Sequence, residues 1–116
     1  MSVCLAKTAG YCFGVSRAVR LVEQAAARGP GVTLGSIIHN RLVVDKLAQQ
    51  GVRVIDRPEQ APPGVTVVIR AHGVPRTVME QLHRQGNQVI DATCPYVKRI
   101  HRIVAKASTQ GRQCII

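Results

Sequence analysis

The sequence of 116 residues is long enough to bury the core of one domain, and its 46% apolar composition excludes a disordered or fibrous chain. It contains neither a secretory signal at its N-terminus nor an apolar stretch of membrane-spanning length, which predicts a cytoplasmic protein without a membrane partner. Sixteen Lys and Arg against six Asp and Glu give a formal net charge of +10, which favours an anionic partner.

The first half of the chain predicts strands and helices in alternation. An apolar run at residues 3–6 predicts a strand, and apolar side chains along one face of residues 15–25 predict a helix that ends at a Gly-Pro-Gly sequence. The same pattern is then repeated, with a strand at residues 32–34 and a helix that carries Val43 and Leu47 and ends at Gly51. Another strand is predicted at residues 52–55.

The second half continues this alternation. A proline-rich loop over residues 56–64 leads into an apolar run at residues 65–69, which is typical of a buried parallel strand. A helix that carries Val78, Met79 and Leu82 and ends at Gly86 follows, and then a strand at residues 88–90. Pro95 then opens a last helix, because proline favours the first helical position.

Strands that alternate with helices predict the α/β class, with a parallel sheet, flanking helices and right-handed crossovers. We expect residues 1–94 to form a first α/β domain and residues 95–116 to begin a second one. Residues 113–116 look like a strand that stops without a turn or a cap. The sequence therefore predicts that the chain is truncated there.

Four reactive side chains share one position in this pattern, each between a predicted strand and the predicted helix after it: Cys12, His39, His72 and Cys94. In open parallel sheets, the carboxyl ends of the strands line the crevice in which ligands bind. The topology therefore predicts that two thiols and two imidazoles meet at one edge of the sheet. Either histidine can present a ring nitrogen to an anion or exchange a proton near neutral pH.

Two of the four cysteines stand in turns that suit a reactive or metal-binding thiolate. Glycines on both sides of Cys12 permit a ligand to approach the main chain closely. Asp91 and Thr93, just before Cys94, can form hydrogen bonds with nearby backbone donors, and Pro95 fixes the entry into the helix. Each of these cysteines precedes a helix N-terminus, whose dipole stabilises a thiolate.

The other two cysteines, Cys4 and Cys114, lie in apolar runs and are expected to pack as small hydrophobic side chains. The four cysteines are widely spaced and form no C-x-x-C pair, which excludes zinc-finger and ferredoxin-type sites. His83 and His101 lie within predicted helices and are expected to be surface or packing residues.

Four motifs resemble those of the 4-hydroxy-3-methylbut-2-enyl diphosphate reductases, the last enzymes of the methylerythritol phosphate route to isoprenoids. The motifs read GYCFGV at residues 10–15, HNR at residues 39–41, AHGV at residues 71–74 and DATCP at residues 91–95. Each motif is weak alone, whereas four in this order and at these separations are specific. The resemblance runs through the whole chain and implies the first domain of a three-domain α/β reductase.

The resemblance implies a role for each of the four side chains. Cys12 and Cys94 are implied to be two of three thiolate ligands of a 4Fe-4S cluster, whose remaining iron acts as a Lewis acid on the substrate hydroxyl. His39 and His72 are implied to bind the substrate diphosphate. The implied reaction uses two electrons and two protons, with ferredoxin or flavodoxin as donor, and yields water and either isopentenyl or dimethylallyl diphosphate.

The resemblance also implies that part of the site is missing, because family members are more than twice as long. The third cluster cysteine, a further substrate-binding histidine, a proton-donating glutamate and other groups that hold the diphosphate are expected in the missing part. We therefore expect this chain alone neither to assemble a stable cluster nor to turn over.

The residues alone leave two other functions open. One is a small basic α/β module that binds nucleic acid through residues of the last helix: Lys98, Arg99, Arg102 and Lys106. No aromatic stacking platform accompanies these residues in the sequence, and a solvated face is the favoured interpretation. The other is a thiol hydrolase or transferase, which requires His39 or His72 within hydrogen-bond reach of one cysteine.

Overall fold

A computed structural model describes residues 1–115 and consists of four parallel strands flanked by helices. The elements in chain order are α1 (Phe13–Ala26), β1 (Gly31–Leu34), α2 (Arg41–Gln49), β2 (Val52–Ile55), a 3₁₀ turn (Pro58–Gln60), β3 (Thr66–Ile69), α3 (Arg76–Arg84), β4 (Gln88–Asp91) and α4 (Pro95–Thr109). The predicted α/β class, with a parallel sheet and flanking helices, is confirmed. None of the helices in the described residues combines the length and apolar character that crossing a bilayer requires.

The sheet reverses its order between its two central strands. The strand order is β2-β1-β3-β4, and all neighbouring strands run parallel. The chain leaves β1 through α2 towards β2 on one side, and it leaves β3 through α3 towards β4 on the other. The loops after β1 and β3 therefore enclose a topological switch point, which is where open α/β sheets bind their ligands.

The sheet is buried on both faces, as the continuous apolar runs of its strands require. On one face, Val22 of α1 and Leu47 of α2 belong to the same buried cluster as Val68 of β3. On the other face, Leu82 of α3 packs in a second cluster with Val67, the neighbour of Val68 in the strand. Consecutive residues of β3 thus point to opposite layers, which fixes the sheet between the two sets of helices.

The two chain ends differ from the predicted pattern. The strand predicted at residues 3–6 is wrong, since this segment is irregular and Val3 and Leu5 are 95% and 82% exposed. The strand predicted at residues 113–116 is likewise not formed over residues 113–115, and Ile116 lies outside the described residues. Apolar side chains favour a strand only where a neighbouring strand completes its hydrogen bonds, and the sheet of residues 1–115 includes neither segment.

The same chain ends carry the two cysteines that were expected to be packed. Cys4 and Cys114 are both free and exposed, so the prediction that they pack as small hydrophobic side chains is wrong for this structure. Their surroundings are apolar in sequence, but no element of residues 1–115 covers them.

The last helix differs from the other three in that it buries none of its residues. Two of its isoleucines, Ile100 and Ile103, are 47% and 57% exposed. The helix begins directly after the predicted domain boundary at residue 94, and that boundary stays a prediction.

Candidate functional site

The loops at the switch point bring the two predicted histidines together. His39 lies in the loop after β1, and Asn40 beside it caps α2 by accepting a hydrogen bond from the Val43 N–H. His72 lies in the loop after β3, next to Gly73, whose φ of +79° is a conformation that favours glycine. The two imidazole ring centroids are 5.7 Å apart, and both side chains are exposed. Two ring N–H donors are therefore available to one anion at this edge of the sheet.

The two predicted cysteines meet at the N-terminus of α1. Cys12 is the N-cap residue of α1 and Cys94 that of α4, and neither side chain makes a capping hydrogen bond. A Cβ atom added at Gly14 would lie 2.6 Å from the Sγ of Cys94, so glycine leaves the room that this thiol occupies. Both thiols are free, with Cys12 exposed and Cys94 half-buried. Unpaired N–H groups and the positive end of the α1 dipole lie at this first turn, and a helix N-terminus of this kind suits a bound anionic group.

An aromatic pair also joins the two cysteine segments. Phe13, next to Cys12, and Tyr96, two residues after Cys94, pack edge to face with ring centroids 6.3 Å apart and an interplanar angle of 83°. Such a pair stabilises the contact between its two segments by about 0.5–1.5 kcal/mol beyond the area that it buries. The start of α1 and the start of α4 are thus held together by side chains next to both cysteines.

Backbone contacts join the histidine and cysteine halves of the site. The Cys94 N–H donates a hydrogen bond of 2.9 Å to the carbonyl oxygen of Ala71, the residue before His72. A Cβ atom at Gly73 would lie 3.1 Å from Thr93, so the loop after β3 passes directly over the loop after β4. His39, His72 and Cys94 follow strands as predicted, whereas Cys12 precedes a helix without following a strand.

The loop before Cys94 is organised by Asp91. Its Oδ1 accepts hydrogen bonds from the Thr93 N–H, at 2.9 Å, and from the Thr93 hydroxyl, while its Oδ2 pairs with the Lys98 ammonium of α4. Partial burial would raise the pKa of Asp91, but the hydrogen bonds from Lys98 and Thr93 outweigh it and hold that pKa below its usual value. The predicted hydrogen bonding of Asp91 to the backbone is confirmed. Lys98, which the sequence placed on a solvated face, instead forms an ion pair with Asp91.

Replacing Asp91 with asparagine should lower the free energy of unfolding of this chain at neutral pH by about 1–2 kcal/mol, because hydrogen bonds to a carboxylate are lost and solvent screens part of that loss. A lowered pKa in the folded state stabilises the fold above the usual carboxyl pKa, and this contribution disappears as the pH falls through the lowered value. The difference between parent and variant should therefore shrink in acid. Denaturant unfolding from neutral to acidic pH measures it.

Asp45→Asn is the matched control, because Asp45 forms an ion pair with Arg41 in which both side chains are mostly exposed, at 59% and 93%. Its effect on the free energy of unfolding should be well under that of Asp91→Asn. Equal effects of the two variants, or an Asp91 effect that does not change with pH, would contradict a stabilising role for the Asp91 carboxylate.

Sequence reasoning missed three contributors to this site, namely Gly14, Arg17 and Lys98. Arg17 of α1 donates a hydrogen bond to the Thr93 carbonyl oxygen over a separation of 76 residues. The sequence signals were slight, since arginines are spread along the chain and Lys98 belongs to a basic run. Gly14 was noted for backbone freedom, whereas the structure shows that it leaves room for a thiol.

The chemistry of the site suits an iron–sulfur cluster only in part. The two thiols at helix N-termini, with a side-chain-free position between them, fit a group that binds thiolates. Within residues 1–115, however, no group of three or more His, Cys, Asp or Glu side chains is arranged to hold a metal ion. The described residues therefore offer two thiolate ligands and leave the rest of such a site to other residues.

The arrangement does not favour a thiol hydrolase. In the described residues, the imidazoles of His39 and His72 face each other, and the Cys94 thiol is seated against Gly14. A hydrolase needs one of the imidazoles beside a thiol as its base. The structure thus supports anion binding by the histidine pair more than nucleophilic catalysis.

Comparison with protein families gives one match that covers nearly the whole chain. The family model described as LytB protein matches residues 3–116. A 4-hydroxy-3-methylbut-2-enyl diphosphate reductase from Aromatoleum aromaticum is 40% identical over 98% of the chain, and one from Citrifermentans bemidjiense is 44% identical over 100% of it. The chain spans only 37% and 41% of the length of these two curated relatives.

Solved structures with the same fold include two reductases. The E-1-hydroxy-2-methyl-but-2-enyl-4-diphosphate reductase from Plasmodium falciparum superimposes with a TM-score of 0.84 and 31% identity, over 90% of this chain and 33% of that one. A second structure, of an (E)-4-hydroxy-3-methyl-but-2-enyl diphosphate reductase described as the terminal enzyme of the non-mevalonate pathway, gives a TM-score of 0.79 and 44% identity. It covers 94% of this chain and 39% of that structure.

Proposed function

This chain belongs to the LytB protein family, and we propose that it forms part of a 4-hydroxy-3-methylbut-2-enyl diphosphate reductase. The relatives that carry this name match it from end to end, although it spans about two fifths of the length of the relative from Citrifermentans bemidjiense, at 41%. The observation that carries the proposal is the meeting of two imidazoles and two thiols around the N-terminus of α1 and the switch point of the sheet. Such a reaction takes up two electrons and two protons, removes the substrate hydroxyl as water, and leaves isopentenyl or dimethylallyl diphosphate.

The histidine pair is proposed to bind the diphosphate. His39 and His72 are exposed, face each other and stand in loops that the Asn40 cap and Gly73 shape. Imidazole N–H groups donate hydrogen bonds to phosphate oxygens, and protonation adds an attractive charge. This pair would hold the diphosphate end of the substrate at the carboxyl edge of the sheet.

The cysteine pair is proposed to supply two thiolate ligands to a 4Fe-4S cluster. When bound, such a cluster supplies electrons and a Lewis-acidic iron to the substrate. Cys12 and Cys94 would hold it at the first turns of α1 and α4, where helix dipoles stabilise thiolates. The third cysteine ligand and the glutamate that donates a proton would come from residues outside this chain. For that reason, we propose that the chain alone neither retains a stable cluster nor turns over.

Substitution of either histidine should weaken diphosphate binding while leaving the iron content intact. His39→Gln and His72→Gln each remove an imidazole but keep a polar side chain, so we expect an increase of roughly tenfold in the Kd of the allylic diphosphate for the complete gene product, since each loses one hydrogen bond to a charged group. Calorimetric titration measures the Kd, and iron analysis measures cluster content. His83→Gln, in α3, is the control and should change neither.

Loss of iron from His39→Gln with an unchanged Kd would contradict the diphosphate role of that residue. A simultaneous loss of both would instead indicate that the variant misfolds, which a thermal unfolding measurement on each variant detects.

The electron donor is proposed to be an acidic protein such as ferredoxin or flavodoxin. Arg99, Arg102 and Lys106 line one shallow depression on α4 together with Ile103, and α4 begins at Cys94. A cationic face of this kind attracts an anionic partner and directs its approach towards the site.

The domain organisation is proposed as the sequence predicts it, with residues 95–116 beginning a second domain of a three-domain protein. The absence of buried residues in α4 supports this division, because a helix whose apolar side chains remain exposed needs a further layer against it. A cytoplasmic location, where thiols stay reduced, is proposed as well.

The decisive experiment uses the complete gene product, expressed and purified without oxygen. Iron and sulfide are measured, and reduction of the allylic diphosphate is followed with a strong artificial reductant. We expect a coloured protein that contains an iron–sulfur cluster and releases isopentenyl and dimethylallyl diphosphate. A colourless, iron-free protein without reductase activity would falsify the proposed function.

A further inference from the structure

The peptide group between Thr93 and Cys94 is held at both of its polar ends by other segments of the chain. Its carbonyl oxygen accepts a hydrogen bond from the Arg17 guanidinium, with an Nη1 to O distance of 3.4 Å. Its N–H donates to the Ala71 carbonyl oxygen at 2.9 Å. Thr93 is only 4% exposed, so water has little access to replace Arg17 as a donor. Arg17 of α1 is therefore one of the groups that fix the direction in which the chain presents Cys94, together with Ala71 and Asp91.

Arg17 stands on the helix that begins at the other cysteine. Cys12 is the N-cap residue of α1, and Arg17 follows on the same helix as a half-buried residue. Since α1 is a rigid element anchored in the core by Ala18 and Val22, a hydrogen bond from Arg17 to Thr93 couples the positions of the two thiols. The guanidinium also suits this task, because it is planar and presents several donors in a fixed geometry.

The charge of Arg17 is left without a carboxylate partner. The ion pairs found in residues 1–115 join other residues and do not include Arg17. By contrast, Lys98 on the opposite side of the same loop is neutralised by Asp91. The positive charge of Arg17 thus acts on whatever anionic group the neighbouring thiolates hold.

We propose that Arg17 is a positioning residue that fixes Cys94 relative to Cys12 and brings an uncompensated positive charge to the loop that carries Cys94. This inference rests on the proposed cluster site. Residues that orient metal ligands typically contribute about 10- to 100-fold to metal affinity, so loss of Arg17 should weaken cluster retention by such a factor. A positive charge nearby also stabilises the reduced, more negative cluster, so its loss should lower the midpoint potential.

The test compares three variants of the complete gene product: Arg17→Gln, Arg17→Lys and the control Arg20→Gln. Arg20 lies one turn further along α1, is exposed and does not take part in the hydrogen bond to Thr93, so its replacement removes the same charge from the same helix. Iron content and cluster midpoint potential are measured on anaerobic protein. Hydrogen–deuterium exchange at the Cys94 amide is measured on iron-free protein, where the cluster plays no part.

Arg17→Gln should lose iron, lower the midpoint potential and speed exchange at the Cys94 amide roughly fivefold, the effect of losing one buried hydrogen bond. Arg17→Lys should keep a midpoint potential close to that of the parent, because it keeps the charge. Arg20→Gln should match the parent in all three measurements.

Two results would overturn the inference. The first is an Arg17→Gln variant whose Cys94 exchange and iron content equal those of Arg20→Gln. The second is that Arg17→Gln and Arg17→Lys have the same midpoint potential, which would mean that the charge of Arg17 does not act on the cluster. Failure of the proposed function can be distinguished from failure of this inference, because it gives a parent protein that contains no iron. In that case the exchange measurement still decides whether Arg17 positions Cys94.

Discussion

Replacing either Cys12 or Cys94 with alanine should reduce the iron and sulfide of the complete gene product to background and abolish reduction of the allylic diphosphate. Each thiol stands at a helix N-terminus, free and without a capping hydrogen bond, so it is available to bind iron. A cluster held by three thiolates that loses one of them has a second iron without a protein ligand and is expected to fall apart. The iron-free variants should still fold, because neither residue belongs to the buried core.

The chain provides its own controls in Cys4 and Cys114, which are free and exposed but lie away from the N-termini of α1 and α4. Cys4→Ala and Cys114→Ala should retain the iron, the sulfide and the reductase activity of the parent. Chemical analysis of iron and sulfide, with a thermal unfolding curve for each variant, separates cluster loss from misfolding. Iron loss in Cys114→Ala with a normal unfolding curve would mean that this cysteine is the missing third ligand.

The fold was predictable because its elements are marked by local signals. Glycines and prolines delimit the strands, as at Gly51 before β2 and Pro95 at the start of α4, and short apolar runs mark strands covered on both faces. The strand predicted at residues 3–6 has the same apolar character but failed. An apolar run forms a strand only if another strand lies beside it, and the local sequence pattern carries no information about that neighbour.

The sequence predicted which loops converge at the site, but it did not predict the side-chain contacts between them. His39 and His72 occupy equivalent positions in a repeated unit, and a parallel sheet brings such positions to one edge, so their contact follows from topology. The contacts of Cys94 with Gly14, and of Thr93 with Arg17, join segments far apart in sequence. They depend on how α1 packs across the sheet, and no spacing in the sequence encodes that distance.

The ion pair of Asp91 with Lys98 is another contact that the sequence did not predict. The sequence indicated correctly that Asp91 organises the turn before Cys94, because an aspartate two residues before a backbone N–H commonly accepts from it. It did not distinguish Lys98 from the other basic residues of α4. The structure separates them, since Lys98 faces the loop while Arg99, Arg102 and Lys106 line the outer depression.

Replacement of Gly14 with alanine should change the stability of the iron-free protein little, but it should strongly reduce the iron that the protein retains. Gly14 lies in the first turn of α1, where alanine favours the helix by about 0.5–1 kcal/mol over glycine. The new methyl group would lie 2.6 Å from the Cys94 Sγ and 3.1 Å from its Cβ. In the iron-free protein the sulfur can rotate away about the side-chain bond, whereas the close contact with the Cβ remains and offsets the gain in helix propensity. The free energy of unfolding of the iron-free protein should therefore change by no more than about 1 kcal/mol.

A Cys94 sulfur bonded to iron cannot rotate away, so the same methyl group should expel or distort the cluster. We expect Gly14→Ala to retain less than about a tenth of the parent iron, in line with the losses caused by disturbing metal ligands. The control is Gly31→Ala, since a methyl group there would meet only the Thr66 carbonyl oxygen at 3.4 Å, an ordinary contact, far from both cysteines. If Gly14→Ala holds as much iron as Gly31→Ala, then the Cys94 thiol does not bind a cluster in the position that it occupies against α1.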